Sequence, residues 1–261
     1  MKTAICFFGE IRGTKEHWDK LYNMLVKPNN ADVFMSFTIY DSDFLNKYSN
    51  EERQTLEFYY KGKGLNYYPN NDLFNIFKPI KMELNPKYSY SLETYNKIVN
   101  KVNHVYSNTV GENNIDESRK LCYYNIMNQH ETRQMAIKLK YDYEKRMNMQ
   151  YDNVILTRLD INPMTNIEFP LKLTDINVRG DASFIYEQLI AGSSSLMNVF
   201  LNLLGDMNEI YEKHCDIDNH WMRNEYHIAK FFEKHKIIVK SINIPLGYHI
   251  QHSNGLTRFN F

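Results

Sequence analysis

Two apolar runs flank an amphipathic stretch at the head of the chain, and that succession constrains the fold more than any other feature. Lys2 to Phe8 is short and almost wholly apolar, the pattern of a buried strand. Gly13 to Val26 carries Trp18, Leu21, Tyr22 and Leu25 at helical spacing, Pro28-Asn29-Asn30 makes a turn, and Ala31 to Ile39 is apolar and short enough for a second strand. Strand, helix and strand in that order form a βαβ unit, whose parallel strands imply an α/β sheet. The stretch "FFGEIRG" sits where the first strand ends. Arg12 is therefore a cation on backbone that has just left a buried strand, a position suited to holding an anion.

Bulk properties narrow the partners. With 261 residues and 43% hydrophobic content the chain can bury a sizeable core and fold alone. Thirty-one basic residues balance thirty-one acidic ones, so no global field would draw in nucleic acid or an anionic membrane. An anion must be bound locally. Cys6, Cys122 and Cys215 are far apart and form no CxxC pair, which points to a reducing compartment and a cytoplasmic protein. The few apolar residues before Gly9 and Glu10 are too short for a signal-peptide core. Leu196 to Leu204, interrupted by Asn198 and Asn202, falls far short of the ~20 residues that span a bilayer.

From about residue 40 to 114 the pattern loosens, with short helices and a strand near Ile80 to Leu84. A long helix is expected from about Asp116 to Met147, where Asp116, Glu117 and Ser118 supply start signals. It leads into "QYDNVILTRLDINP", in which Val154, Ile155 and Leu156 form a buried strand. Arg158, Asp160 and Asn162 alternate along its exit and Pro163 stops the ladder. Further strands are expected at Ser183 to Ile190 and Ile237 to Ile244, with helices at Ser195 to His214 and Glu225 to Lys236.

In open α/β sheets ligands bind outside the carboxyl ends of strands, which places Arg158 and Asp160 where a ligand belongs. Asp160 offers hard oxygen ligation to Mg²⁺ or Mn²⁺, an ion that bridges well to nucleotide phosphates. Arg158 either pairs with Asp160 or, together with Arg12, grips a diphosphate. A purely structural Arg158–Asp160 pair is the alternative. Glu187 and Gln188 lie on a strand that faces the same cleft and can hydrogen-bond a polar ligand, sugar hydroxyls in the family reading below, or else form a half-buried polar pair on an edge strand. Asp41-Ser42-Asp43 is a literal DxD after the second strand, and reads either as a metal motif or, more simply, as a solvated loop. "HCDIDNH" gathers possible zinc ligands in one cluster rather than two. Neither GxGxxG, nor a P-loop, nor a serine nucleophile elbow occurs.

"FFGEIRG", "YDNVILTRLDI" and "IYEQLIAGSSSLM" together resemble glycosyltransferases of the GT-A fold, among them small capsular, lipopolysaccharide and large-DNA-virus sugar transferases. The resemblance implies a Rossmann-like central, mostly parallel sheet flanked by helices, with a loosely patterned, mainly helical insertion around 41–147. It implies one domain over 1–261, its nucleotide-binding part roughly 1–165 and its acceptor side roughly 166–261. The activity implied is transfer of a sugar from a UDP- or GDP-linked donor to a glycan hydroxyl, inverting and assisted by Mn²⁺ or Mg²⁺. A non-catalytic carbohydrate- or nucleotide-binding protein on the same fold is the rival.

The resemblance also distributes roles. The loop from Gly9 to Gly13 lies beneath the nucleotide, with Arg12, Arg158 and Arg258 toward its diphosphate. Asp160 takes the place of the family's acidic metal motif, although the sequence is Arg158-Leu159-Asp160 rather than DxD, and His252 and His249 join it at the metal. Gly192 corresponds to a glycine turn beside the sugars, where a missing Cβ admits a ligand; an ordinary strand-to-helix turn is the alternative. Glu225, at a helix start, is the base for the acceptor hydroxyl, with Asp218 in reserve. Compensation of the helix dipole would equally place an acid at Glu225.

Overall fold

The computed structural model describes residues 1–39, 71–86, 115–180, 185–214 and 224–248. Strand β1 (Thr3–Glu10) is followed by helix α1 (Lys15–Leu21), which widens into a π-helical turn (Tyr22–Val26), and by β2 (Asp32–Ile39). Thr14 caps α1 by accepting a hydrogen bond from the His17 backbone N–H at 3.4 Å. Then come α2 (Asn71–Phe77), β3 (Lys81–Pro86), the long α3 (Ile115–Met147), β4 (Asn153–Arg158) and β5 (Ile161–Pro163). The last third supplies β6 (Ile176–Gly180), β7 (Ile185–Gly192), the short α4 (Ser194–Met197) and a 3₁₀ turn (Asn198–Asn202). It closes with α5 (Leu203–His214), α6 (Asn224–Lys234), β8 (Val239–Ser241) and β9 (Leu246–Tyr248).

Seven of these strands form one mixed, mostly parallel sheet in the order β3-β2-β1-β4-β7-β6-β8. Every strand runs the same way except β7, which is antiparallel to both neighbours. The protein is thus an α/β fold, as the opening βαβ unit implies. Because side chains alternate across a strand, β1 feeds two cores. Ile5 and Phe7 pack with Trp18, Leu21 and Leu25 of the α1 layer and with Leu73 and Phe77 of α2. Ala4, Cys6 and Phe8 face α3, α5 and α6 through Met127, Ile137, Ile210 and Phe231. Such a strand has no polar face, which is why it reads as a continuous apolar run.

Several boundaries differ from the sequence reading for local reasons; the strand expected over Ile237 to Ile244 is extended and paired only at Val239–Ser241. The stretch Ser195 to His214 is not one helix: it starts as α4, tightens to 3₁₀ and only then becomes α5. β6 has no counterpart in the sequence reading because Ile176–Gly180 offers only Ile176 and Val178 as inward apolar residues. The exit of β4 is not an extended alternation. The strand ends at Arg158, Leu159 and Asp160 turn, and Ile161–Pro163 pairs with β9 in a separate two-strand ladder. Pro163 therefore ends a short edge strand and not the main ladder. Among the described residues no helix is long and apolar enough to cross a membrane.

At the amino edge of the sheet a buried ammonium ties α3 to the chain after β7. Lys140 Nζ donates to Glu144 Oε2 at 3.0 Å, Ser194 Oγ at 2.6 Å and Asn198 Oδ1 at 2.7 Å, which uses all three of its donors. Glu144 Oε1 in turn accepts from Ser194 Oγ at 2.6 Å and from the Tyr151 backbone N–H at 2.8 Å. Burial lowers the Lys140 pKa, opposed by the adjacent Glu144 carboxylate. Removing one partner of a buried pair strands the other. Lys140→Met should therefore destabilise the protein by about 3 kcal/mol in urea melts, while the Ser194→Ala change, which keeps the ion pair, should cost about 1 kcal/mol.

Candidate functional site

Strands β2 and β3 lie on one side of β1, and β4 lies on the other. The chain thus leaves neighbouring carboxyl ends in opposite directions at β1 and β4, and a crevice opens at such a switch point. Phe8 of β1 is in register with Arg158 of β4, so the two strands deliver their last residues side by side. Phe8, Gly9, Glu10 and Arg12 from the β1 exit, Arg158 and Asp160 from the β4 exit, and Gln129 of α3 line a depression there.

Each strand exit is shaped by specific bonds. Gly9 has φ +101°, a left-handed value that a side chain would strain, and its N–H donates to Thr132 Oγ1 of α3 at 3.1 Å. Gly13 repeats the conformation at φ +103°, and a Cβ there would lie 2.9 Å from both the His17 ring and Trp18 Nε1. Between these glycines the Arg12 carbonyl accepts from Trp18 Nε1 at 2.8 Å, so the buried indole fixes the loop that carries the guanidinium. Helix α1 also holds the other exit. His17 Nε2 donates to the Leu159 carbonyl at 2.9 Å and Lys20 Nζ to Asn162 Oδ1 at 2.6 Å.

The charged groups form a chain. Arg158 grips Asp160 in a bidentate fork, Nε to Oδ1 at 2.8 Å and Nη2 to Oδ2 at 2.5 Å. Arg12 Nη1 reaches the same Oδ2 at 3.3 Å, while its Nε donates to Glu10 Oε2 at 3.0 Å and its Nη2 pairs with the same oxygen. Asp160 is only 7% exposed. Burial on its own would push this carboxyl up, but Arg158 and then Arg12 outweigh it and hold the pKa at about 2. The carboxylate is accordingly ionised throughout the neutral range.

A third guanidinium lies under the floor. Arg133 is fully buried, stacks on the Phe8 ring at 4.4 Å and donates from Nη1 to His130 Nδ1 at 2.9 Å. Burial, with Arg133 beside it, drives the His130 pKa well down. The ring is neutral, and its Nε2 is left to donate to Tyr211 Oη at 3.2 Å. On the wall, Gln129 Oε1 accepts from Asn224 Nδ2 at 2.7 Å, which ties the start of α6 to the depression.

The sequence-derived candidates divide accordingly. Gly9, Arg12, Arg158 and Asp160 converge. Glu225 is half-buried in the first turn of α6, next to Asn224. Gln188 is buried on β7, and its carbonyl accepts from Thr157 Oγ1 at 2.6 Å; continuing the Thr157–Leu189 register sets it opposite Arg158. The Glu187 side chain, Asp218, His249, His252 and Arg258 lie outside the described residues, as do Asp41, Asp43 and most of the "HCDIDNH" cluster. Gly192 is not brought to the depression. It pairs with Val154 near the amino end of β4, about 13 Å along the strand from Arg158. There a Cβ would lie 2.8 Å from Ile176 Cδ1 and 3.3 Å from the Asp175 carbonyl, so its surroundings are neighbouring protein atoms. Sequence reasoning passed over Glu10, Gln129, Thr132 and Arg133. Glu10 could have been found from its spacing to Arg12, but nothing in a 33-residue helix marks which polar residues face the sheet edge.

The described residues do not fit a divalent ion. Among the described residues both Asp160 oxygens are taken by guanidiniums, the only other carboxylate lining the depression is Glu10, and no group of three metal-ligating side chains occurs. Arg12 and Arg158 carry the forked donors that an anion uses, with Glu10 and Asp160 balancing both charges as they stand. Compared with known protein families the chain matches none, and comparison with curated proteins gives no match either.

The Asp160 linkage has a definite sign. A carboxyl at about 2 when folded and ~3.9 when unfolded contributes stability that is complete above about pH 5 and is lost as the pH falls through ~2. The contribution is on the order of 2 kcal/mol. The stability difference between wild type and Asp160→Asn should therefore be constant from pH 8 to 5 and shrink by roughly that amount between pH 4 and 2 in urea melts. A difference independent of pH would contradict the charged pairing.

Proposed function

We propose that this protein is a glycosyltransferase of GT-A type that moves a sugar from a nucleoside diphosphate sugar to a hydroxyl of a glycan. The observation that carries the reading is the convergence of Arg12 and Arg158, from two different strand exits, at the switch point of an α/β sheet. Such a pair suits a diphosphate because each guanidinium can meet two phosphate oxygens in a fixed fork.

In this reading the acceptor hydroxyl attacks the anomeric carbon as Glu225 takes its proton, and the bond from that carbon to the diphosphate oxygen breaks. The leaving diphosphate gains negative charge in the transition state. Arg12 and Arg158 are oriented before the reaction, so stabilising that charge requires no reorganisation. Inversion follows from a single displacement with Glu225 as the base. Glu225 stands one residue beyond Asn224, whose amide holds a wall residue of the depression. Gln188, across from Arg158 in the continued register, suits a sugar hydroxyl. UDP- and GDP-linked sugars are the donors of choice.

The test is release of nucleoside diphosphate from a panel of UDP- and GDP-linked sugars, with and without a mixture of glycan acceptors. Turnover should appear with at least one donor. Arg12→Ala should lower kcat/KM by ~100-fold or more with a melting temperature within about 3 °C of wild type. Glu225→Gln should lower kcat by ~10²- to 10⁴-fold while donor binding persists. Tight binding of nucleotides or glycans with no release from any donor would favour a binding protein, and normal turnover in Arg12→Ala would remove the diphosphate role.

A further inference from the structure

A divalent cation and a diphosphate ask opposite things of a carboxylate beside them. A metal ligand must turn an oxygen to the ion, away from other cations. Asp160 does the reverse: Oδ1 accepts from Arg158, and Oδ2 from both Arg158 and Arg12. To those two guanidiniums it presents the same forked pair of anionic oxygens that a phosphate presents. We propose that Asp160 is an internal counter-anion in the place a phosphate takes, and that a nucleoside diphosphate exchanges with it on Arg12 and Arg158 without a divalent cation. This rests on the nucleotide-sugar reading of the site.

The surroundings suit such an exchange. Swapping one anion for another keeps both part-buried guanidiniums paired, and the exchange is complete only when the released Asp160 carboxylate turns out to water, because left in its buried place it would be the stranded charge. Arg12 keeps its bonds to Glu10 when Asp160 lets go, so it stays aimed. The backbone on both sides is held by Trp18, His17 and Lys20. Movement is thereby confined to side chains. Asp160 itself lies in a turn between two ladders and not within one, and its carboxylate can swing without breaking strand pairing. Arg133, stacked under Phe8, keeps positive charge beneath the floor whichever anion is bound.

The two possible roles of Asp160 predict opposite signs. A metal ligand replaced by Asn weakens nucleotide binding, whereas an internal competitor replaced by Asn strengthens it. Calorimetric titration with UDP and with GDP, first in EDTA and then in Mn²⁺, on wild type and Asp160→Asn decides between them. Wild type should bind one of these nucleotides in EDTA with Kd within ~3-fold of its value in Mn²⁺, and Asp160→Asn should bind it ~10-fold more tightly in EDTA. Wild-type binding that appears only with Mn²⁺ overturns the inference and leaves the nucleotide reading standing. Weaker binding by folded Asp160→Asn in EDTA overturns the exchange. Absence of binding to either nucleotide under both conditions overturns the inference together with the reading on which it rests. The wild-type comparison needs no variant, so it decides the cation question even where Asp160→Asn fails to fold.

Discussion

One carboxylate shared by two guanidiniums joins the halves of this protein's crevice. Arg12 arrives on the loop after β1 and Arg158 on the last residue of β4, and both close on Asp160. The backbone of each exit is held by its own contacts, from Trp18 and Thr132 after β1 and from His17 and Lys20 after β4. Charged side chains at a rim exposed to water gain little from pairing, but Asp160 is almost fully withdrawn from solvent, and there the pairing aims both guanidiniums at one place. The depression lies where it does because β1 and β4 are adjacent and in register, so their ends cannot be far apart.

That adjacency traces back to side-chain alternation. β1 buries Ile5 and Phe7 against α1 and α2 and buries Ala4, Cys6 and Phe8 against α3, which makes it a central strand with parallel neighbours on both sides. The sheet is then covered on two faces, and its carboxyl edge is the open place for polar groups. Cys6 belongs to this interior, with burial pushing its thiol up to about 12, so it acts as an apolar filler and not as a nucleophile. The polar network around Lys140 and Glu144 secures the opposite edge, and the two ends of α3 thus do different work. Its Gln129, Thr132 and Arg133 serve the crevice, while Lys140 and Glu144 serve the amino edge.

The parts of this arrangement that were legible in the sequence are those written in hydrophobic period. β1, α1, β2 and the long α3 announce themselves by apolar runs or helical spacing, and "VILTRLD" marks a buried strand ending in charge. The turn at Leu159–Asp160 was not legible. Alternation of Arg158, Asp160 and Asn162 is compatible with continued extension, and only the bidentate pair and the pull of β9 on Ile161–Pro163 decide for a turn. β6 and β9 were missed because strands with so few apolar residues are defined by their partners across the sheet and not by their own composition. Gly192 stayed open for a related reason: a glycine between a strand and a helix looks the same in sequence whether it faces a ligand or a neighbouring side chain, and here it faces Ile176.

The central claim is that Arg12 and Arg158 together make an anion site at the β1–β4 switch point. A crystal structure of the protein soaked with a nucleoside diphosphate tests this most directly. The account predicts phosphate oxygens at about 2.8 Å from both guanidiniums, with Asp160 turned away from at least one of them. Nucleotide bound elsewhere, with the Glu10–Arg12–Asp160–Arg158 chain intact and no phosphate in contact with it, would contradict the claim.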